Sequence, residues 1–347
     1  MNINILSNKI SWFGKYSGYE CLTDYFPKNG RLVITKPNDL VFNKLVGKIF
    51  RTYKGWEDIS PTDIYAELNF FRRAGLNNIS HILYLESHVH ALKMVKNNRH
   101  KLVGTIHLPI SQWTEERLEM LADLDNAIIL YDEEIAEFSK YINREKIQVI
   151  KHGVDIDFFK PGDISAVKKN KILFVGHYLR NFHMFMEVYD IVRKDIGDVI
   201  EFHFIIPSFG RDKEIIQKIT TLKNVFFHEG LSDEALLDFY QTSYLLLMPM
   251  TDSGANTAIV QALGAGLPIV TTDVGGIRSY GGGEVFPVVT NNSGLEMAEL
   301  FAKYYYDNDF RNSIAEKQRQ FAMEKLDWNL IARQHISCYE SILSSGK

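Results

Sequence analysis

The sequence predicts an α/β protein with two doubly wound parallel-sheet domains in series and a helical C-terminal tail. Three observations carry that expectation. Apolar runs of a few residues alternate with amphipathic stretches along nearly the whole chain. The alternation pauses between residues 151 and 170, where Lys160-Pro161-Gly162-Asp163 leads into a polar stretch with linker character. Beyond Ser293 no strand-like run is left, only helical patterns. The chain of 347 residues is long enough for two domains of ordinary size.

In the first domain the runs at residues 3–6, 32–34, 82–85, 102–106, 127–131 and 148–150 read as strands, with helical patterns at 87–97, 114–123 and 133–141. The runs are mostly apolar rather than strictly alternating, as expected of strands covered on both faces. A second series reads residues 172–175, 201–206, 225–228, 244–248, 269–272 and 285–287 as strands, with helices at 184–193, 214–222, 233–242 and 257–265. Two or three helices complete the chain, the last over 328–343. The first domain is therefore expected over 1–160, the second over 161–326 and a terminal helix over 327–347. In open sheets of this kind ligands bind beyond the carboxyl ends of the strands, so the loops after strands are where chemistry is expected.

Composition excludes several classes. A charged fraction of 24% and a hydrophobic fraction of 46% belong to a packed protein rather than a disordered one. The net charge of −4 argues against a nucleic-acid binder. The charge is uneven: residues 1–101 carry 15 Lys and Arg against 8 Asp and Glu, a surplus of +7. That surplus suits an anionic acceptor or a membrane surface, and it equally suits scattered solvated lysines. Cys21 and Cys338 form no CxxC pair, so neither a disulfide framework nor a thiolate metal site is expected and a cytoplasmic setting is natural. No apolar stretch approaches the length of about 20 residues that spans a bilayer. Neither H-E-x-x-H nor G-x-S-x-G occurs, which disfavours a zinc hydrolase or a triad esterase.

The richest segment is Met250-Thr251-Asp252-Ser253-Gly254-Ala255-Asn256-Thr257, which joins a strand to a helix. Asn256 and Thr257 are good helix caps, Gly254 permits close approach, and the free N–H groups of a helix start suit a phosphate. Gln261 falls on the same helix face as Thr257. Gly176-His177-Tyr178-Leu179-Arg180 also follows a strand, and its arginine suits a diphosphate. Gly275 and Gly276 follow a further strand. In the first half, Gly14 to Gly18 form a Gly-rich loop without a dinucleotide or Walker fingerprint, and His107 ends a strand where it could bond a sugar hydroxyl. Each feature also has a structural explanation: a capped turn, a surface arginine, a core histidine.

Taken in order, these pieces resemble the retaining glycosyltransferases of family 4. The resemblance rests on the Gly14–Gly18 loop, Thr105-Ile106-His107, Lys151-His152-Gly153-Val154-Asp155 with Phe159-Lys160-Pro161, Phe174-Val175-Gly176 with Arg180, Gly230-Leu231-Ser232-Asp233-Glu234 through Tyr240 and Pro249, and the stretch from Ala262 through Pro268 to Gly276. It implies the GT-B architecture of two Rossmann-like domains facing a central cleft, with the C-terminal helix crossing back to the first domain. It also implies transfer of a sugar from a UDP- or GDP-type donor to an acceptor hydroxyl on a glycan, a lipid or a small molecule. Anomeric configuration would be retained, with no metal and no cofactor besides the donor as co-substrate. His107, Arg180, Asp252 and Ser253 would be catalytic. Gly14, Gly18, Gly176, His177, Arg180, Gly254, Ala255, Asn256, Thr257 and Gln261 would bind the donor. Peripheral attachment to the inner face of a membrane through the basic first domain is a further expectation.

The chain departs from the family where it has two glutamates seven residues apart; here they fall on Ser253 and Gln261, with Asp252 one position before the first. His152 and His177 replace the usual asparagine and arginine. These changes keep two rival readings open: a catalytically silent nucleotide-sugar-binding or scaffolding partner, and another GT-B enzyme such as a sugar-nucleotide epimerase.

Overall fold

Near-continuous apolar runs become parallel strands, the inner ones buried from both sides, and two separate sheets result. The computed structural model describes all residues except 9, 11–13, 57–58, 75–78, 89, 91–100, 291 and 345–347. The chain divides into two compact units. The first is Met1–Ser11, Tyr19–Lys151 and Ile331–Lys347; the second is Trp12–Gly18 and His152–Leu330.

The first unit holds strands β1 (Asn2–Leu6), β2 (Arg31–Thr35), β3 (Ile79–Ile82), β4 (Lys101–Ile106), β5 (Asn126–Ile129) and β6 (Ile147–Val149). They pair in parallel in the order β2-β1-β3-β4-β5-β6. Helices α1 (Val41–Lys54) and α2 (Pro61–Ala74) connect β2 to β3 and pack on each other. Two shorter helices follow, α3 (Glu115–Glu119) and α4 (Ile135–Phe138). The strand expected at 82–85 lies earlier, at β3. Leu83 still donates to the Leu6 carbonyl at 2.9 Å, but the chain then bends through a 3-10 turn at Leu85–Ser87. The helix expected over 87–97 falls mostly outside the described residues. The helix expected at 133–141 is reduced to the single turn of α4, where Ser139 Oγ bonds back to the Ile135 carbonyl at 2.7 Å. Helices α1 and α2 have no counterpart in the sequence reading.

The core of this unit contains a polar layer. His335 Nδ1 donates to the Ile331 carbonyl at 2.8 Å, so Nε2 accepts from the Tyr19 hydroxyl at 2.8 Å. His81, also fully buried, bonds Tyr339 Oη at 2.6 Å and Thr105 Oγ1 at 2.7 Å. Burial drives both rings toward the neutral form, pulling His335 down to about 4 and His81 well below the usual histidine range. Cys21 and Cys338 are buried and are not joined in a disulfide.

The second unit holds β7 (Lys168–Val175), β8 (Glu201–Ile205), β9 (Val225–His228), β10 (Ser243–Met248) and β11 (Ile269–Thr271), all parallel, in the order β11-β10-β7-β8-β9. Its helices are α5 (Phe182–Asp195), α6 (Glu214–Thr220), α7 (Asp233–Thr242), α8 (Thr257–Ala265), α9 (Gly294–Tyr306) and α10 (Asn308–Lys325). Side-chain caps start most of them: Asn181 for α5, Ser232 for α7, Asn256 for α8, Ser293 for α9 and Asp307 for α10. Helix α11 (Trp328–Ser344) begins in this unit, and from Ile331 it belongs to the first. The strand expected at 285–287 does not form. Val285 donates to the Gly281 carbonyl at 2.7 Å and Gly283 to Phe286 at 2.8 Å, so this segment is a tight turn with one isolated bridge.

The boundary expected near residue 160 lies at Lys151/His152 instead. Several contacts hold residues 152–160 within the second unit. Val154 donates to the Leu326 carbonyl at 2.7 Å, the Arg319 guanidinium donates to the Phe159 and Ile156 carbonyls, and Gly153 lies against the Trp328 indole. Among the described residues no helix is long and apolar enough to cross a membrane.

Candidate active site

In the second sheet the chain runs from β7 outward to β8 and β9, then returns to place β10 on the other side of β7. The strand order reverses between β7 and β10, and a crevice opens at the carboxyl ends of strands at such a point. The two loops there are the two richest segments of the sequence: Gly176 to Asn181 after β7, and Pro249 to Asn256 after β10. They are tied together, since Asn181 donates to the Pro249 carbonyl at 2.9 Å and Thr251 to the Leu179 carbonyl at 3.0 Å.

Arg180 stands at the centre. Its Nε donates to the Val175 carbonyl at 3.0 Å and Nη1 to the Tyr178 carbonyl at 2.9 Å. Nη1 also lies 3.5 Å from Met250 Sδ, and Nη2 donates to Asn256 Oδ1 at 3.4 Å. Among the described residues, one of the five guanidinium N–H groups, on Nη2, is left over. Among the described residues Arg180 forms no ion pair with a carboxylate. Burial pulls it down to about 10, which still leaves it cationic at neutral pH. Gly176 has a positive φ of 80° and its backbone passes beside the guanidinium, where a Cβ would come within 3.0 Å of Nη2. His177 packs edge-on to Phe209 at 5.6 Å, and burial followed by the Arg180 charge favours its neutral form.

The loop after β10 is more engaged with itself than its sequence suggests. Asn256 caps α8 by accepting from Ala258 at 3.1 Å and Ile259 at 3.4 Å, so those two N–H groups are spent internally. The start of α8 offers an anion the N–H of Thr257 and of the residues before it. Ser253 is buried and its hydroxyl donates to the Gly254 carbonyl at 2.9 Å. Asp252 accepts from the Ser253 N–H at 2.8 Å, closing the turn. Gly275 and Gly276 pack beneath this turn; Gly276 donates to the Ser253 carbonyl at 2.7 Å, and a Cβ on Gly275 would overlap that carbonyl. Ala255 completes the loop beside Gly254.

Gln261 is buried at 3% exposure rather than presented to solvent. Its Oε1 accepts from the Tyr240 hydroxyl at 2.9 Å and its Nε2 donates to Ser17 Oγ at 3.0 Å. Ser17 belongs to the Gly-rich segment of Gly14 and Gly18, which the structure groups with the second unit. Lys15 N–H donates to Asp233 Oδ2 at 2.8 Å, Tyr16 stacks on Phe158 at 3.8 Å, and a Cβ on Gly14 would overlap the Asp233 carboxylate. The structure therefore brings together Gly14, Gly18, Gly176, His177, Arg180, Asp252, Ser253, Gly254, Ala255, Asn256, Thr257 and Gln261 in one unit.

His107 lies in the first unit, at the end of β4. Its ring stacks on Tyr84 at 4.6 Å and meets Tyr19 edge-on at 4.8 Å, while Glu86 accepts from the backbone N–H of His107 and of Leu108. Among the described residues the buried His107 ring nitrogens have no hydrogen-bond partner, and Nδ1 lies 3.7 Å from Glu86 Oε2. The sequence reading missed Tyr240, Asp233 and Glu86. Tyr240 and Asp233 sit within the segment that carries the family resemblance, and Glu86 had no signal beyond being a carboxylate after a strand.

Both the two-sheet construction and the switch-point site define the class. The fold is the GT-B fold of glycosyltransferases. Residues 169–305, all within the second unit, match the family of glycosyl transferases group 1. Over 277 residues the chain is 24% identical to the D-inositol 3-phosphate glycosyltransferase of Corynebacterium urealyticum, covering 73% of this chain and 65% of that protein. It is 21% identical over 208 residues to an MMP alpha-(1->4)-mannosyltransferase of Mycolicibacterium hassiacum, covering 58% and 50%. The matches thus span from half to just under two thirds of these relatives' own length. Among solved structures, HepE of Anabaena in complex with UDP-glucose superposes with a TM-score of 0.75 at 16% identity, over 99% of this chain and all of that one.

Proposed function

We propose that this protein transfers a sugar from a nucleoside-diphosphate sugar to an acceptor hydroxyl with retention of anomeric configuration. The observation that carries the reading is Arg180, a half-buried cation without a carboxylate partner among the described residues, held at the carboxyl end of β7 beside the Asn256 cap of α8. Such a site favours an anion, the relatives are named as sugar transferases, and the UDP-glucose held by HepE suggests a sugar nucleotide as the anion.

In the proposed reaction the bond between the anomeric carbon and the diphosphate oxygen breaks, and negative charge builds on the departing diphosphate. The acceptor oxygen bonds the same face of the sugar, and its proton passes to that diphosphate. The chain's task is electrostatic: fixed dipoles and one cation stabilise a charge that appears only as the bond breaks. Arg180 and the α8 N–H groups face the diphosphate, with His177 contributing a neutral hydrogen bond. Asp252 is the carboxylate left to orient the sugar, since Ser253 spends its hydroxyl within the loop. Gln261 acts by holding the Gly-rich segment through Ser17. His107, whose ring nitrogens have no hydrogen-bond partner among the described residues, is the first unit's own candidate for a sugar hydroxyl. The donor is the co-substrate, and no cofactor is invoked.

A thermal-shift panel of nucleoside diphosphates and sugar nucleotides tests the reading. Binding to the native state stabilises by RT ln(1 + [L]/Kd), roughly 2.7 kcal/mol at 100 Kd. A selective rise with one nucleoside diphosphate and its sugar conjugate is expected. No response to any of them refutes the donor site.

A further inference from the structure

Helix α1 is amphipathic the wrong way round for a core helix. It packs through its small and polar side: Asn43 and Gly47 are buried, and a Cβ on Gly47 would overlap the Pro61 carbonyl of α2. Its large apolar side faces solvent. Val41, Phe42, Leu45, Ile49 and Tyr53 are 57–83% exposed. At about 100° per residue they fall within an arc of about 120°. Single exposed apolar residues are ordinary, but a contiguous stripe of five on one helix is the mark of an interaction surface.

The charge beside the stripe selects the partner. Lys44, Lys48 and Arg51 follow one edge of the apolar arc, and Lys54 ends the helix; no acidic residue occurs in α1. Over residues 28–54 there are seven Lys and Arg against the single Asp39, which pairs with Lys44 at 3.1 Å. The basic surplus of the first third is therefore concentrated on and before this helix. An apolar face bordered by cations matches a helix lying in the interface of an anionic bilayer, with its rings and aliphatic groups among the acyl chains and its cations at the headgroups.

We propose that the exposed face of α1 docks this protein on anionic lipid membranes. The proposal stands apart from the sugar-transfer reading, because vesicle binding is measured without turnover. The full chain is floated with vesicles of phosphatidylcholine alone and of phosphatidylcholine with about a third phosphatidylglycerol. Binding is expected to the anionic vesicles and to weaken as salt is raised. Ile49→Glu, at an exposed position that the fold does not need, should reduce it by at least about tenfold. Lys48→Glu should reduce binding to anionic vesicles by roughly fivefold or more and leave any residual binding to neutral ones unchanged. Circular dichroism confirms that both variants stay folded. Absence of parent binding to anionic vesicles, or equal binding by parent and both variants, overturns the proposal. So does a concentration-dependent dimer that Ile49→Glu abolishes without vesicle binding, which would assign the face to a second copy of the chain.

Discussion

Replacing Gln261 with leucine tests how the site is held together. The side chain bridges α7 to the Gly-rich segment: Oε1 accepts from Tyr240 at 2.9 Å and Nε2 donates to Ser17 at 3.0 Å. Leucine fills similar space but strands the buried Tyr240 hydroxyl, whose other contact is a 3.4 Å bond to the Ala258 carbonyl. Stranding a buried polar group costs about 1–3 kcal/mol. The surviving weak bond places the expected loss near 2 kcal/mol. Native-state hydrogen exchange of the α7 and α8 amides reads this as a lower free energy of local opening, without assuming that two units unfold together. In a Tyr240→Phe background the same substitution should cost about 1 kcal/mol less, because no hydroxyl is left to strand. An equal cost in both backgrounds would refute the bridge.

Two further outcomes follow from packing and titration. A methyl group on Gly153 would overlap the Trp328 indole, so Gly153→Ala should lower stability by about 1–3 kcal/mol in thermal or urea melts. His335 is held neutral with its folded value near 4, below about 6.5 in an unfolded chain, so the unfolded state binds the extra proton between those values. Stability should be full above pH about 6.5 and fall toward pH 4, by up to about 3 kcal/mol, and His335→Gln should flatten that loss.

Much of the architecture was legible because parallel strands covered on both faces leave largely apolar runs; β5 and β10 are of this kind. The terminal helices were equally plain. Helices α1 and α2 were not, for a physical reason. The residues α1 buries are Asn43 and Gly47, so its apolar stripe does not mark its packing side. Within α2 the buried Glu67 pairs with His88 at 3.3 Å, a charge in a place where the pattern asks for an apolar residue. The donor loops could be read from glycines and caps directly after strands. Which polar groups remain free could not, because that depends on neighbours distant in sequence: Ser17 and Tyr240 take up Gln261, and Asn256 spends its own carbonyl on α8. The boundary at residue 152 was masked by the Pro161-Gly162 signal, although residues 152–160 are bound to the second unit by Arg319 and Trp328.

The most direct measurement is release of nucleoside diphosphate from the sugar nucleotide identified by the thermal-shift panel, comparing parent and Arg180→Ala, with the anomeric configuration of the product read by NMR. Loss of one stabiliser of developing charge is worth about 10²–10³ in turnover. The account predicts a drop of that size and a product with the donor's configuration. Equal turnover by both proteins, or an inverted product, would contradict it.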